Sequence, residues 1–476
     1  MLRLSWTQPE DLVPHALAAA RLDGVDVSAP EAEWVAAGGS PTAAVSGASP
    51  QPAPPELRAL ARALLARIDQ LPLPAGLVAA EPDALDAILD LAPQPPELPS
   101  VSSDAGGPGS MSTGSFGDRM LGAWLGRAAG CLLGKPVEKI SREGIRAIAQ
   151  STGNWPVSSY FTEQGLDPAV AARYPWNRRS RPTSLVENID GMPEDDDLNF
   201  PLIALELLER AGADFTTDDV ALSWLANLPG GRVFTAERIV YRNLLEGHEP
   251  DVAATVQNPF QEWIGAQIRT DVYGWARPGD PHAAAALAHR DAWLSHRRSG
   301  LYGALFVASA SSAALVTSSV HEVIAAGLSA VPEGSRYAAA ILRGAELGAS
   351  GLSVDEGLDA LAAEFGHLHW VHALNNSALL AFALVRSDGD FATAISIAVM
   401  GGWDTDSVGA TAGAIVGALT GAAALPPAWI EPLLNRLATS IPGFDGIGFD
   451  ELAARTAALA PALAPTLEST PSGATR

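Results

Sequence analysis

Glycines recur at every fourth residue in two places, at Gly122, Gly126, Gly130 and Gly134 and again at Gly409, Gly413, Gly417 and Gly421. At 3.6 residues per turn each set lies along one face of a helix. Glycine inside a helix costs about 1 kcal/mol relative to alanine, so each stripe implies that something approaches the helix closely. Tight helix–helix packing accounts for most of each stripe, and the terminal glycines are the candidates for approach to a ligand. Alanine supplies much of the 47 % hydrophobic content. Strand-type runs of Val, Ile, Thr and aromatics are scarce. The pattern predicts a compact, many-helix, all-α protein, and 476 residues suffice for a sizeable core.

Residues 1–112 differ from residues 113–476. Helical patterns near Pro9–Leu22, Pro55–Gln70 and Pro82–Leu91 are separated by small and proline-rich sequence, and a Pro/Ser/Gly-rich linker runs from Ala92 to Ser115. This reads as an N-terminal helical or partly disordered extension with no legible chemistry. Helix starts are expected near Thr217-Asp218-Asp219 and at Ser353, where Glu356 completes a capping arrangement. No glycine loop of the nucleotide-binding kind follows a strand.

The formal charge of −24, from 54 acidic and 30 basic residues, opposes binding to duplex nucleic acid or anionic lipid. It does not oppose a small phosphorylated ligand held by a few donors. The lone Cys131 excludes an intrachain disulfide and fits a reducing cytosol, so the protein is expected in the cytoplasm. Leu301–Val320 and Ser407–Ile430 are long and uncharged, but Ser, Thr, Gly and Ala dilute them. Both are expected to be buried helices, not membrane spans.

Glu194-Asp195-Asp196-Asp197 stands where a loop enters a strongly apolar helix. Capping a helix needs one or two carboxylates, and four in a row repel each other unless a cation offsets them. Gly401-Gly402-Trp403-Asp404-Thr405-Asp406-Ser407, between an apolar segment and the second glycine helix, presents several oxygens to one point. Hard cations such as Mg²⁺ and Mn²⁺ take oxygen ligands of this kind. If both clusters face one cleft, Asp195, Asp196, Asp197, Asp404, Asp406 and Ser407 supply enough oxygens for two ions about 3.5–4 Å apart.

Three segments also resemble signature regions of the ADP-ribosylglycohydrolases: GAWLGRAAGCLLGKPVE from Gly122 to Glu138, the acidic run before its helix, and GGWDTDSVGATAGAIVGAL. NPFQEWIGAQIRTD and HWVHALNN resemble a bacterial, dinitrogenase reductase-activating glycohydrolase-like branch. The resemblance spans about Phe116 to Leu434. It implies an all-α catalytic domain, a binuclear Mg²⁺ or Mn²⁺ centre, and hydrolysis at C1 of the distal ribose of ADP-ribose conjugates on a protein, base or small molecule. It also implies that Asp195, Asp196 and Asp197 occupy the first three positions of a Thr-Asp-Asp-Thr motif, and that Glu138 lies near the substrate as a gate or acid/base. Three departures stand out. Asp195 replaces a neutral ligand by a carboxylate, which is expected to raise cation affinity. Leu198 removes a hydroxyl, and Cys131 replaces an aspartate and is expected to be a packed thiol.

Asp196, Asp406 or Glu138 is then the expected proton carrier. Gly134, Gly401 and Gly402 are candidates for backbone approach to substrate, Trp403 for stacking on adenine, and His372, Asn375 and Asn376, with His369, for pocket lining. Glu262, Arg269 and Asp271 are expected at the rim. Lys135, Arg178, Arg179 and Arg181 are candidate holders of a pyrophosphate. Ser295-His296 lacks an identifiable acid partner for a triad. Hydrolysis of another ribosyl or N-glycosidic metabolite, or ADP-ribose binding without catalysis, remains open on the same scaffold.

Overall fold

The computed structural model describes residues 2–43, 45–99 and 113–462. Among these residues the secondary structure is α-helix with short 3₁₀ turns, and the only β-type pairings are isolated bridges such as Trp263 with His372. The fold is therefore all-α.

At its centre the helices Thr113–Gly134 and Thr405–Thr420 run antiparallel with their glycine stripes face to face. A β-carbon on Gly122 would lie 2.2 Å from the Gly417 carbonyl oxygen, on Gly126 2.1 Å from that of Gly413, and on Gly130 1.9 Å from that of Gly409. No side chain fits between backbones this close. Gly134, expected to approach a ligand, instead faces Thr405, whose Oγ1 donates to the Gly134 carbonyl at 2.8 Å. Gly421 ends its helix at φ +84°, where a β-carbon would strike Asp118.

Around this pair are the helices Asp196–Ala211, Arg298–Ala314 and Ala373–Ser387. Every residue of Arg298–Ala314 is buried, so the uncharged sequence from Leu301 to Ala314 lies in a core helix. No helix among the described residues is long and apolar enough to cross a membrane. Capping boxes begin Thr217–Asn227, with Thr216 and Asp219, and Val354–Phe365, with Ser353 and Glu356.

The N-terminal patterns occur as the helices Pro9–Leu22, Pro55–Ile68 and Leu85–Asp90, joined by Ser28–Ala36 and Ala75–Ala80. They dock closely on the rest of the chain. Asp23 pairs with Arg298 at 2.7 Å and Arg336 at 3.0 Å, and Glu81 pairs with Arg336 at 2.7 Å. Trp6 and His15 enter one aromatic cluster with Phe260, Trp263 and His369. Most of the linker expected over Ala92–Ser115, with the 112/113 boundary, lies outside the described residues.

Candidate functional site

The antiparallel glycine pair places two helix ends side by side. After Gly134 the chain makes a 3₁₀ turn, Lys135–Val137, and delivers Glu138. Across the contact, Asp404 precedes the first turn of Thr405–Thr420, which carries Asp406 and Ser407. The third contribution is the start of Asp196–Ala211, where Asp195 caps the helix by accepting from Asp197 N at 3.0 Å. Ser407 Oγ donates to Asp197 Oδ2 at 3.2 Å and so ties the two acidic clusters together. Helix N-termini carry partial positive charge, which partly offsets carboxylates collected there.

Two sets of ligand-type atoms result, each with its members within 4.8 Å of one another. One is Glu138, Asp404 and Asp406; the other is Cys131, Asp195 and Asp197. Asp196 belongs to neither set. Burial raises Asp404 well above the usual carboxylate range, with Asp406, Glu138 and Asp197 acting the same way. Asp406 is raised to about 7 by burial, Glu138 and Asp195. Burial also raises Asp196, helped by Asp195, Asp406 and Glu138, and it raises Asp197, helped by Asp195 and Asp406. Asp406 Oδ1 is buried without a hydrogen-bond partner. Buried carboxylates that repel each other and leave an oxygen unsatisfied suit a hard cation, and the all-oxygen set Glu138, Asp404 and Asp406 fits Mg²⁺ or Mn²⁺.

The carboxylates open into a cavity of about 480 Å³, within the roughly 300–1,000 Å³ typical of small-molecule sites. Lys135, Glu138, Asp195, Asp196, Asp197, Asp404, Asp406 and Ser407 all line it. The exposed guanidiniums of Arg178, Arg179 and Arg232 line it as well, with Phe234 and Trp370. Arg181 is not among the lining residues; it pairs with Glu163 at 2.7 Å.

The family model described as ADP-ribosylglycohydrolase matches residues 112–464, most of the chain. The chain belongs to the ADP-ribosylglycohydrolase family. Its members are glycosidic hydrolases, and this chain is one of them. Solved structures with similarity include one described as an "ADP-ribosylglycohydrolase-related protein complex", 20 % identical, covering 74 % of this chain and 99 % of its own, with a TM-score of 0.41. No significant match occurs among curated proteins.

Several residues of this ADP-ribosylglycohydrolase have surroundings that the sequence does not suggest. Gly134, Gly401, Gly402, Trp403, His372, Asn375 and Asn376 do not line the cavity. A β-carbon on Gly401 would meet Leu379, Gly402 turns the chain at φ +80° beside Arg142, and Trp403 packs on the core. His372 caps Ala373–Ser387. Asn376 Oδ1 accepts from Asp404 N at 3.2 Å while its Nδ2 donates to the Trp370 and His372 carbonyls, so it positions the acidic loop. Asn375 donates to the His369 carbonyl.

Glu262, Arg269 and Asp271 are buried in ion pairs and not at the rim: Glu262 with Arg298 and Arg336, Arg269 with Glu237 and Asp291, Asp271 with Arg127. Ser295 Oγ and His296 Nδ1 are 2.7 Å apart, but both residues are wholly buried and neither reaches the cavity. Burial pushes the Cys131 thiol well up, and Asp195 and Asp197 push it the same way, as for a packed thiol.

Asp195 has a partner that the sequence does not suggest. Lys135 Nζ contacts Asp195 Oδ2 and donates to the Glu194 carbonyl at 3.2 Å. Burial raises the Asp195 carboxyl, but Lys135 and the Asp197 N–H outweigh it and hold it below the usual range. The carboxylate at 195 is thus held in a buried ion pair within the chain. Arg127 is a further residue that the sequence does not single out. It is fully buried, donates through Nε to the Asp197 carbonyl at 2.7 Å, and pairs with Asp271 at 2.6 Å. The N-terminal residues Ser5, Trp6, Ser46 and Gly47 also line the cavity.

Proposed function

We propose that this chain is a divalent-cation-dependent hydrolase that cleaves the glycosidic bond at C1 of the distal ribose in ADP-ribose conjugates and releases ADP-ribose. The observation that carries this reading is one small-molecule cavity lined by buried carboxylates and by exposed guanidiniums. Arg178 and Arg179 suit the diphosphate, whereas Arg232 pairs with Glu194 at 2.7 Å. Phe234 and Trp370 offer aromatic surface for the base.

Glu138, Asp404 and Asp406 would hold Mg²⁺ or Mn²⁺. When bound there, such an ion supplies Lewis acidity, lowering the pKa of a water and orienting the ribose diol. Asp196, which lines the cavity outside both ligand sets, is the carboxyl that handles the proton. The surrounding carboxylates favour the positive charge that develops on the ribose as the C1 bond breaks. Asn376 and Ser407 keep the acidic loop and the second cluster in register.

Arg-, Ser- and base-linked ADP-ribose conjugates, assayed with Mg²⁺ and with Mn²⁺, test the substrate class and the metal together. Asp196→Asn and Asp406→Asn are each expected to slow release of ADP-ribose by at least about 100-fold. Unchanged hydrolysis in both would sink the reading.

A further inference from the structure

The two ligand-type sets differ in what already neutralises them. In the set of Cys131, Asp195 and Asp197, Asp195 is held by Lys135, whose side chain is only 6 % exposed. Arg127, fully buried, lies 3.5 Å from Asp197 Oδ1. The third member is a sulfur ligand, a poor partner for hard cations. Two cationic side chains therefore stand beside this set, with Arg127 shared between Asp197 and Asp271, and the set lacks the all-oxygen character that suits Mg²⁺ or Mn²⁺.

In the set of Glu138, Asp404 and Asp406, three carboxylates face one ammonium. Lys139 reaches Glu138 Oε1 at 2.9 Å and lies over the Trp370 ring at 5.1 Å, but its side chain is 50 % exposed, so solvent screens the pair. Asn177 donates to Glu138 Oε2 at 2.6 Å without neutralising it. Asp406 Oδ1 is buried and unpartnered. Asp197 Oδ1 in the other set also lacks a hydrogen-bond partner but lies 3.5 Å from the Arg127 guanidinium, so the all-oxygen set with the weakest cationic partner is the one on this side.

We propose that Lys135 stands where a second cation would otherwise be needed, so that this enzyme binds a single divalent ion at Glu138, Asp404 and Asp406. Asp195 and Lys135 are then a matched pair, the carboxylate of one neutralising the ammonium of the other. The proposal rests on reading the acidic cluster as a cation site.

The test uses the metal-free full chain titrated with Mn²⁺, followed by calorimetry and electron paramagnetic resonance. The expected result is one tight equivalent per chain with the six-line spectrum of an isolated Mn²⁺. Two tight equivalents with an exchange-coupled spectrum, as for ions about 3.5–4 Å apart, would overturn the proposal and leave the cation-site reading standing. No tight Mn²⁺ at all would overturn both. Lys135→Met is expected to admit a second equivalent and Lys135→Arg to keep one. A folded Lys135→Met chain that still binds one overturns the role of Lys135. If Lys135→Met does not fold, the wild-type and Lys135→Arg stoichiometries still decide.

Discussion

The Asp195 carboxylate and the Lys135 ammonium form a buried ion pair at the edge of the acidic cluster. Breaking a buried ion pair by removing one partner strands the other charge, at a cost of about 3–5 kcal/mol. Asp195→Asn should therefore lower stability by about that amount in urea denaturation, and Asp195→Thr combined with Lys135→Met should recover most of it. A single-variant loss below about 1 kcal/mol, the range of a surface pair, would show that Lys135 is solvated. The aspartates themselves are legible in the sequence because consecutive carboxylates at a helix start call for an offsetting charge. Lys135 and Arg127 are not legible as the groups that supply it: Arg127 is 70 residues from the Asp197 carbonyl it holds. Asn376 reads as pocket lining in sequence, yet its partner is a backbone N–H 28 residues on.

At the scale of elements, the glycine stripes set the position of the site. Lys135 and Glu138 extend from one glycine helix, Asp404 and Asp406 begin the other, and the backbone contact between them fixes the separation. Gly130→Ala would place a β-carbon 1.9 Å from the Gly409 carbonyl oxygen. Overpacking of this kind costs about 1–3 kcal/mol or more, against roughly 1 kcal/mol gained in helix propensity. A lowered melting temperature with weakened Mn²⁺ binding is expected. Gly117→Ala, on the same helix but with open space at its β-carbon, should be neutral or stabilising by up to about 1 kcal/mol. Equal destabilisation by both variants would contradict the packing account. The four-residue period makes the stripes visible in sequence. Which stripe meets which, and that Gly134 meets Thr405 and not a ligand, depends on the antiparallel docking of helices some 270 residues apart.

For the whole molecule, the N-terminal helices are bound to the family-matched region through buried histidines and ion pairs. Burial lowers His15 from 6.5 to about 4, with Asp11 opposing, and lowers His369 to about 3, with His15 and His372 contributing. A histidine whose folded pKa is depressed gives stability that is full above its unfolded pKa and declines as pH falls towards the folded one. For His15 that window runs from about 6.5 down to about 4, a change of about 3 kcal/mol. The melting temperature should fall across this window, and His15→Phe should flatten part of the slope. An unchanged slope would place His15 outside the acid transition.

A chain starting near Ser112 loses Asp23 from Arg298 and Arg336 and Glu81 from Arg336, and uncovers Trp263. It is expected to melt well below the full chain and to bind ADP-ribose more weakly, since Ser5, Trp6, Ser46 and Gly47 no longer line the cavity. Equal melting and binding would make the N-terminal region dispensable.

Periodicity, composition and the three motifs together were enough to determine an all-α chain, the glycine helices and the family, because each is written in local spacing along the chain. The tertiary structure alone decided which charges cancel, which polar groups reach the cavity and which merely hold its loops, and how the N-terminal helices dock. Those outcomes depend on contacts between residues far apart in sequence, where burial makes every unpaired charge costly and so dictates the partner.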